Sequence, residues 1–440
     1  MRFLRLPCVL LTVAILSACA SWFEEEDGEP LEGTRVSVMA HQAKLLPDVH
    51  PAGAAIDLGE PRRNSDWPQE GGFADHTMGH LTLPDTLKLR WSASIGDGID
   101  ESRPRIPAPI VADGRVFTMD TEHEVRAFDV ETGRVLWDVD LADDVDDDDT
   151  VPGGLAFAEG RVYVTTGFAK IIALEAETGE KRWDRSVDAP IHGPPAVYRG
   201  RVFAIDINNA LYAFDALDGA ELWPAHQAIA ESAGLLGSAS PAVADDIVTA
   251  PFSSGDLVAL RTNSGRVIWT DTLASTRRTD ELSSLTHIRG RPVIDQGLVY
   301  AVSYAGVIAA INVRTGERVW EREVGGLYGP WLVGNVLYLL TGDQRVVCMS
   351  RSNGSIYWVS ELPLFEYEKE KEDPIQWAGP VVAGNKVIVV GSNSRAIALS
   401  PFDGKQLERM SLSGPVSHVP VIADGRMYIV TDDGELISYQ

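Results

Sequence analysis

Cys19 is the residue around which a specific chemistry can be read. It closes the run Leu16, Ser17, Ala18, Cys19. Upstream, Arg2 and Arg5 give a short positive region, and Leu6 to Leu16 is an apolar stretch too short to span a bilayer as a mature helix. Residues 1–18 therefore read as a secretory leader cut after its small residues. Cleavage leaves the Cys19 thiol at the new N-terminus, where it can be acylated. Each buried methylene of an acyl chain contributes about 0.8 kcal/mol, so several chains anchor a protein durably. Cys8 leaves with the leader. Cys348 sits in Val346 to Met349 (VVCM), which reads as a buried strand with the thiol as a small hydrophobe. No intramolecular disulfide is available.

Other chemistry does not assemble. The nine histidines are scattered. His76 and His80 have the i,i+4 spacing of a zinc-binding helix, but Gly79 and the surrounding composition speak against that helix. Gly-x-Ser-x-Gly and a glycine-rich phosphate loop are absent, so no catalytic, metal or cofactor residue is assigned. Asp138 to Asp149 (DVDLADDVDDDD) lacks the Gly and terminal Glu of a calcium loop. With Glu366 to Asp373 (EYEKEKED) it reads as a solvated insert. The formal charge is −26, or −28 without the two leader arginines. Such a surface repels phosphate backbones and anionic lipid, which excludes nucleic acid as a partner.

The elements that would position any site come from a repeat. Pro109 to Phe117 (PIVADGRVF) recurs at Pro195 to Phe203 (PAVYRGRVF), Pro292 to Tyr300 (PVIDQGLVY), Pro380 to Gly384 (PVVAG) and Pro420 to Tyr428 (PVIADGRMY). Weaker copies centre on Gly160, Asp246 and Gly334, which makes eight. A second signal follows the first seven: an apolar-Ala-apolar run, a polar residue, then a turn glycine 19 or 20 residues after the first centre. Trp137, Trp183, Trp223, Trp269, Trp320 and Trp358 each stand four residues beyond that glycine; Glu408 takes the place in the seventh unit.

Pro-x-Val is a short strand, x-Gly supplies the positive φ of a tight hairpin, and the following segments alternate as half-buried strands. The fourth strand is expected to end at the Trp, whose indole packs between neighbouring units. Units of about 40–45 residues with four strands match propeller blades. The eighth unit holds three strands, and an orphan strand at Leu87 to Ser92 carries the missing Trp91. The expectation is an all-β, eight-bladed β-propeller of four-stranded antiparallel blades over residues 66–440, its ring closed by that N-terminal strand. Residues 19–65 read as a flexible tether. Trp331 and Trp377 lie outside the regular position, and rim or core packing is expected of them.

The core Ala-x-Asp-x-x-Thr-Gly-x-x-x-Trp of Ala127 to Trp137, repeated in Ala213 to Trp223 with Asp218 in the Thr place, resembles the PQQ-like propeller repeat. The leader and Cys19 resemble the lipobox of bacterial lipoproteins, and Ala20 after the Cys is similar to outer-membrane sorting signals. Together these features resemble the BamB family of outer-membrane lipoproteins. The resemblance implies a non-catalytic scaffold of the β-barrel assembly machinery. It implies a lipid anchor on the periplasmic face of the outer membrane. It implies binding to BamA POTRA domains and other machinery subunits, and contact with unfolded outer-membrane proteins. By the family's pattern the partner loops carry Leu235, Leu236, Glu281, Leu285, His287 and Arg289. Leu236 departs from a basic residue, and His287 and Arg289 from acids. The same repeat occurs in PQQ-dependent dehydrogenases, whose quinone site uses adjacent cysteines that this chain lacks. A periplasmic ligand-binding propeller is the other alternative.

Overall fold

Each of the first seven repeats folds as a four-stranded antiparallel sheet whose spatial order is its chain order, and the eighth repeat gives three strands of a sheet completed by a strand from before the first repeat. The computed structural model describes residues 45–48, 55–142, 150–229, 237–274, 287–304 and 306–440. Among the described residues there are eight such sheets and no helix, and the sheets are the blades of an eight-bladed β-propeller. The outer edge of the last blade is β1 (Leu89–Ser94). Blade 1 follows as β2 (Ile110–Ala112), β3 (Arg115–Met119), β4 (Glu124–Asp129) and β5 (Val135–Asp140). The β2–β3 turn holds two successive left-handed residues, Asp113 (φ 51°) and Gly114 (φ 72°), as a type I′ hairpin requires. First strands lie innermost: β2 neighbours Gly154–Ala158 of blade 2 and Val421–Ala423 of blade 8.

The fourth strand does not stop at the Trp. In blade 1 it continues three residues past Trp137, and Leu136 is bulged out, so that Ala127 faces Trp137 while Phe128 faces Val135. The same shift recurs at Ala173, Ala259 and Ala310. Blade 3 departs further. Pro224 has no N–H to give a ladder, and the fourth strand forms beyond it as His226–Gln227. Cys348, buried and free, faces Trp358 where other blades place Ala.

Each indole lies on the turn glycine of the next blade. A Cβ at Gly179 would stand 2.8 Å from the Trp137 ring, and Trp137 Nε1 donates to Ala176 O at 3.0 Å. The lock repeats for Trp183 on Gly219, Trp223 on Gly265, Trp269 on Gly316, Trp320 on Gly354 and Trp358 on Gly404. These glycines are left-handed and also have no room for a methyl. Burying one indole contributes on the order of 3 kcal/mol. β1 pairs antiparallel with Glu435–Tyr439, and its Trp91 lies on Gly133 of blade 1.

The joint between blades 7 and 8 is built differently. Glu408 faces Ala398 in the Trp place and binds Lys386 at 2.9 Å. Ile388 stands where blade 1 brings Phe117. A small open cleft remains, lined by Leu83, Leu87, Ile388, Met410 and Met427.

Residues 64–81 run inside the ring and touch every blade in turn. Asn64 Nδ2 donates to Ile422 O of blade 8, and Trp67 exchanges backbone bonds with Val111 of blade 1. Pro68 O accepts from Phe157 N of blade 2, and the Gln69 amide pairs with both backbone groups of Val197 of blade 3 at 2.8 Å. Ala74 O accepts from Val243 N of blade 4 and Asp75 O from Ile294 N of blade 5. Gly79 O accepts from Trp331 Nε1 of blade 6, and Leu81 N donates to Val382 O of blade 7. The segment thus meets all eight inner strands, seven through their backbone edge and that of blade 6 through the Trp331 indole.

The boundary expected at residue 66 falls inside this docked chain. Asp57 and Asn335 exchange bonds, Leu58 is buried, and Asp48 pairs with Arg322 at 3.1 Å. The apolar and polar groups of this stretch find partners one at a time, without a period. Trp331 stacks on Trp67 with ring centroids 5.9 Å apart, and Trp377 Nε1 donates to Pro363 O. Both pack within the body as expected.

Candidate interaction face and channel

Strand alternation gives the ring two unlike faces. Turns between first and second strands and between third and fourth strands open on one face, here the turn face. Turns between second and third strands, and the joins that lead to the next blade, open on the other, the join face. The turn face carries two-residue hairpins and the Trp-bearing glycines. The join face carries the long segments. One of them forms a small hairpin, Phe365–Tyr367 with Glu372–Pro374, from the acidic run at Glu366. There Glu366 holds Arg395 at 2.7 Å and accepts from Asn393 Nδ2.

Leu235, Leu236, Glu281 and Leu285 lie outside the described residues, as do Cys19 and most of the acid run at 138–149. The joins that contain the four loop residues leave from Ile229 and Ala274 and return at Gly237 and His287, all on the join face. His287 and Arg289 come together in the lead-in to the first strand of blade 5. His287 is buried, and burial with Arg289 beside it pushes its imidazole down to about 4, so it is neutral at pH 7. Arg289 is half-buried.

The sequence did not point to the groups that meet Arg289. Arg105, in the lead-in to blade 1, reaches His192 O in the lead-in to blade 3. Tyr328, in the lead-in to blade 6, donates to Ser417 O in the lead-in to blade 8 at 3.1 Å. Groups from blades that are not neighbours meet only at the ring axis, so these lead-ins line the channel. Burial, and then Arg289 nearby, lower the Arg105 guanidinium to about 10. Arg291 is 5% exposed and lies against Gly71 of the inner segment. Burial lowers its basicity, and Glu70 opposes that. His192, pushed to about 4 by burial and Arg105, is neutral too. Arginines at non-repeating lead-in positions carry no period that a sequence reader could follow.

The histidines sort by partner. His76 and His80 share no helix. His76 Nδ1 bonds Pro292 O at 2.7 Å, while His80 Nδ1 bonds Gly59 O and its Nε2 accepts from Asn385 N. Each fixes the inner segment to a different place. No group of three or more metal-ligating side chains occurs among the described residues.

A family model described as outer membrane protein assembly factor BamB matches residues 80–146, 121–360 and 369–440. Among curated relatives, the protein of that name from Moranella endobia is 24% identical over 243 residues, 55% of this chain and 60% of that one. The one from Escherichia coli is 26% identical over 208 residues, 47% of this chain and 51% of that one. The matched stretch thus spans between about half and three-fifths of these relatives. The crystal structure of BamB from Moraxella catarrhalis superposes with a TM-score of 0.68 at 20% identity, covering 81% of this chain and all of that one. A quinohemoprotein alcohol dehydrogenase from Comamonas testosteroni gives 0.65 at 15% identity, over 87% and 82%. Likeness at these identities is one of fold. The family match extends over most of the propeller, and the chain belongs to the BamB family of outer membrane protein assembly factors.

Proposed function

We propose that the mature chain is a non-catalytic scaffold of the β-barrel assembly machinery, tethered by acylated Cys19 to the periplasmic face of the outer membrane. It binds BamA POTRA domains through its join face and holds extended outer-membrane proteins weakly while they are folded and inserted. The family match over the propeller carries this reading. The two faces support it. A face of tight hairpins offers little to a partner, whereas long joins are where binding surfaces are built on rigid scaffolds. Leu235, Leu236, Glu281 and Leu285 are the proposed contacts, with His287 and Arg289 at the root of the same join. His287, being buried, acts by holding that join. The contact departs in charge from the family pattern, so the salt dependence of binding is expected to differ from the relatives.

Affinity purification from detergent-solubilised outer membrane tests the reading. Recovery of BamA with the wild-type chain, reduced by Glu281→Lys with Leu285→Ala, is the expected result. Recovery of a tightly held quinone with dye-reduction activity, and no BamA, overturns it. Cys19→Ala is expected to release the protein into the periplasm. Unchanged membrane retention contradicts acyl anchoring.

A further inference from the structure

We infer that the turn face lies against the bilayer, and that the lipid headgroup layer is the surface it fits. The inference rests on the acyl anchoring proposed above. The course of the chain marks the face. Followed back from Asn64 toward Cys19, the chain crosses the turn face of blade 6, where Asn335 in the first hairpin exchanges bonds with Asp57. It reaches the rim at Asp48. Asp48 N donates to Ile356 O, and its carboxylate accepts from Ile356 N and from Arg322. Ile356 is the first residue of the outer strand of blade 6, at the turn-face end. Leu46, two residues further, is exposed. The body thus hands its chain toward the anchor from the turn-face rim.

Charge is divided between the faces as this apposition requires. On the turn face Asp113 is matched by Arg115, Glu131 by Arg426, Asp295 by Arg351 and Asp403 by Lys405. On blades 2 and 3 the exposed Glu159 and Glu177 are balanced by Arg199 and Arg201. On the join face Asp97, Glu101, Glu370 and Asp433 are exposed and have no ion pair among the described residues. The acid run at 138–149 follows from the join-face end of blade 1. The surplus acid of the body is therefore mainly a join-face property. A six-residue strand separates the faces by about 20 Å, and a charge is screened within about 8 Å at physiological salt. With the turn face apposed, the surplus acid is out of reach of anionic headgroups; with the join face apposed it would meet them. Apolar side chains follow the same division. Just past the third-to-fourth turns stand the exposed Val135, Leu222, Val267, Val319 and Leu407, and Leu89 holds that level opposite Tyr439. Leu217 and Phe402 are exposed at the tips of two such turns. Scattered over a surface these would need no explanation. Set at one level around a flat rim, they form a band suited to an interface with lipid.

The test uses the mature lipoprotein reconstituted in vesicles of phosphatidylethanolamine with a minor share of phosphatidylglycerol. A single fluorophore is attached through Phe402→Cys or Leu217→Cys on the turn face, and through Ile207→Cys or Ile229→Cys on the join face. Cys348 is buried, so the new exposed thiol takes the label. A lipid with a nitroxide on its headgroup is expected to quench the turn-face labels several-fold more than the join-face labels. Arg199→Glu with Arg201→Glu is expected to reduce the turn-face quenching about twofold or more, since cations near an anionic leaflet are lost. Equal quenching on the two faces, or stronger quenching on the join face, overturns the inference. Self-quenching of the Phe402→Cys label in lipid-free detergent, with none by lipid, also overturns it and makes the turn face an interface between two copies. The chain from Ala20 onward, held by an N-terminal hexahistidine on nickel-chelating lipid, repeats the comparison without acylation. If the lipoprotein does not float with the vesicles while this chain is quenched on its turn face, the anchoring reading fails and the assignment of the face stands.

Discussion

Seven blade-to-blade joints carry an indole on a glycine, and the joint between blades 7 and 8 carries Glu408 beside a cleft. At the first kind, a single apolar side chain fills the gap, and its Nε1 satisfies a backbone carbonyl of the next blade. At the second, the segment from Leu83 to Leu87 lines one side of an open cleft, and the Glu408–Lys386 ion pair lines another. A repeated lock can thus be given up at one place when a non-repeating stretch of chain is laid over it. The inner segment does the same work on a larger scale, since a stretch of chain without a repeat reaches all eight first strands.

Several substitutions sharpen the contrast. Trp183→Ala removes a locked joint and is expected to cost about 3–5 kcal/mol by urea denaturation. A cost near zero would mean that the indoles are ornaments of the repeat. Acid attacks the inner segment and not the indoles. His76 is pushed to about 3 by burial and by Arg291, against an ordinary value of 6.5. Its folded value is depressed, so its stabilising effect is complete above pH 6.5 and is lost as pH falls from there toward 3. Between pH 7 and 5 the loss from His76 alone is about 2 kcal/mol. His123, His192 and His287, each near 4, act in the same direction, while Asp120, raised to about 6 by burial, opposes them. Melting temperature measured against pH should fall, and His76→Gln should flatten the fall; a profile unchanged by that substitution would contradict it.

Gly219→Ala is smaller. It places a methyl 2.8 Å from the Trp183 ring at φ 71°, and the backbone alone costs about 1–2 kcal/mol. Thermal unfolding measures it, and the same change at Gly200, left-handed with open space around it, separates backbone strain from the clash. Glu408→Gln at the seam should matter least. The carboxylate is 42% exposed and its pair with Lys386 is screened, so about 0–1 kcal/mol is expected. A loss as large as that of Trp183→Ala would show that the seam is locked by its ion pair.

The repeating parts of the molecule were legible in the sequence because each residue is tested many times. The turn glycines, the indoles, the departure at Glu408 and the strand around Trp91 all follow from spacing. What each Ala does needed the ladder, since only pairing shows Cys348 standing in for Ala opposite Trp358. Pro224 moved one strand, a local event that averages out of a repeat. Asn64, Gln69 and His76 were illegible, because each meets a different blade through a different bond. Arg105 and Arg291 were missed for the same reason.

The central claim is that a rigid ring presents its join face to the assembly machinery. Ile229 and Leu217 belong to the same blade, are 73% and 70% exposed, and lie on opposite faces. A photo-crosslinking residue placed at each, in cells, compares the faces directly. The account predicts a BamA adduct from position 229 and none from 217; an adduct from 217 alone, or from both equally, contradicts it.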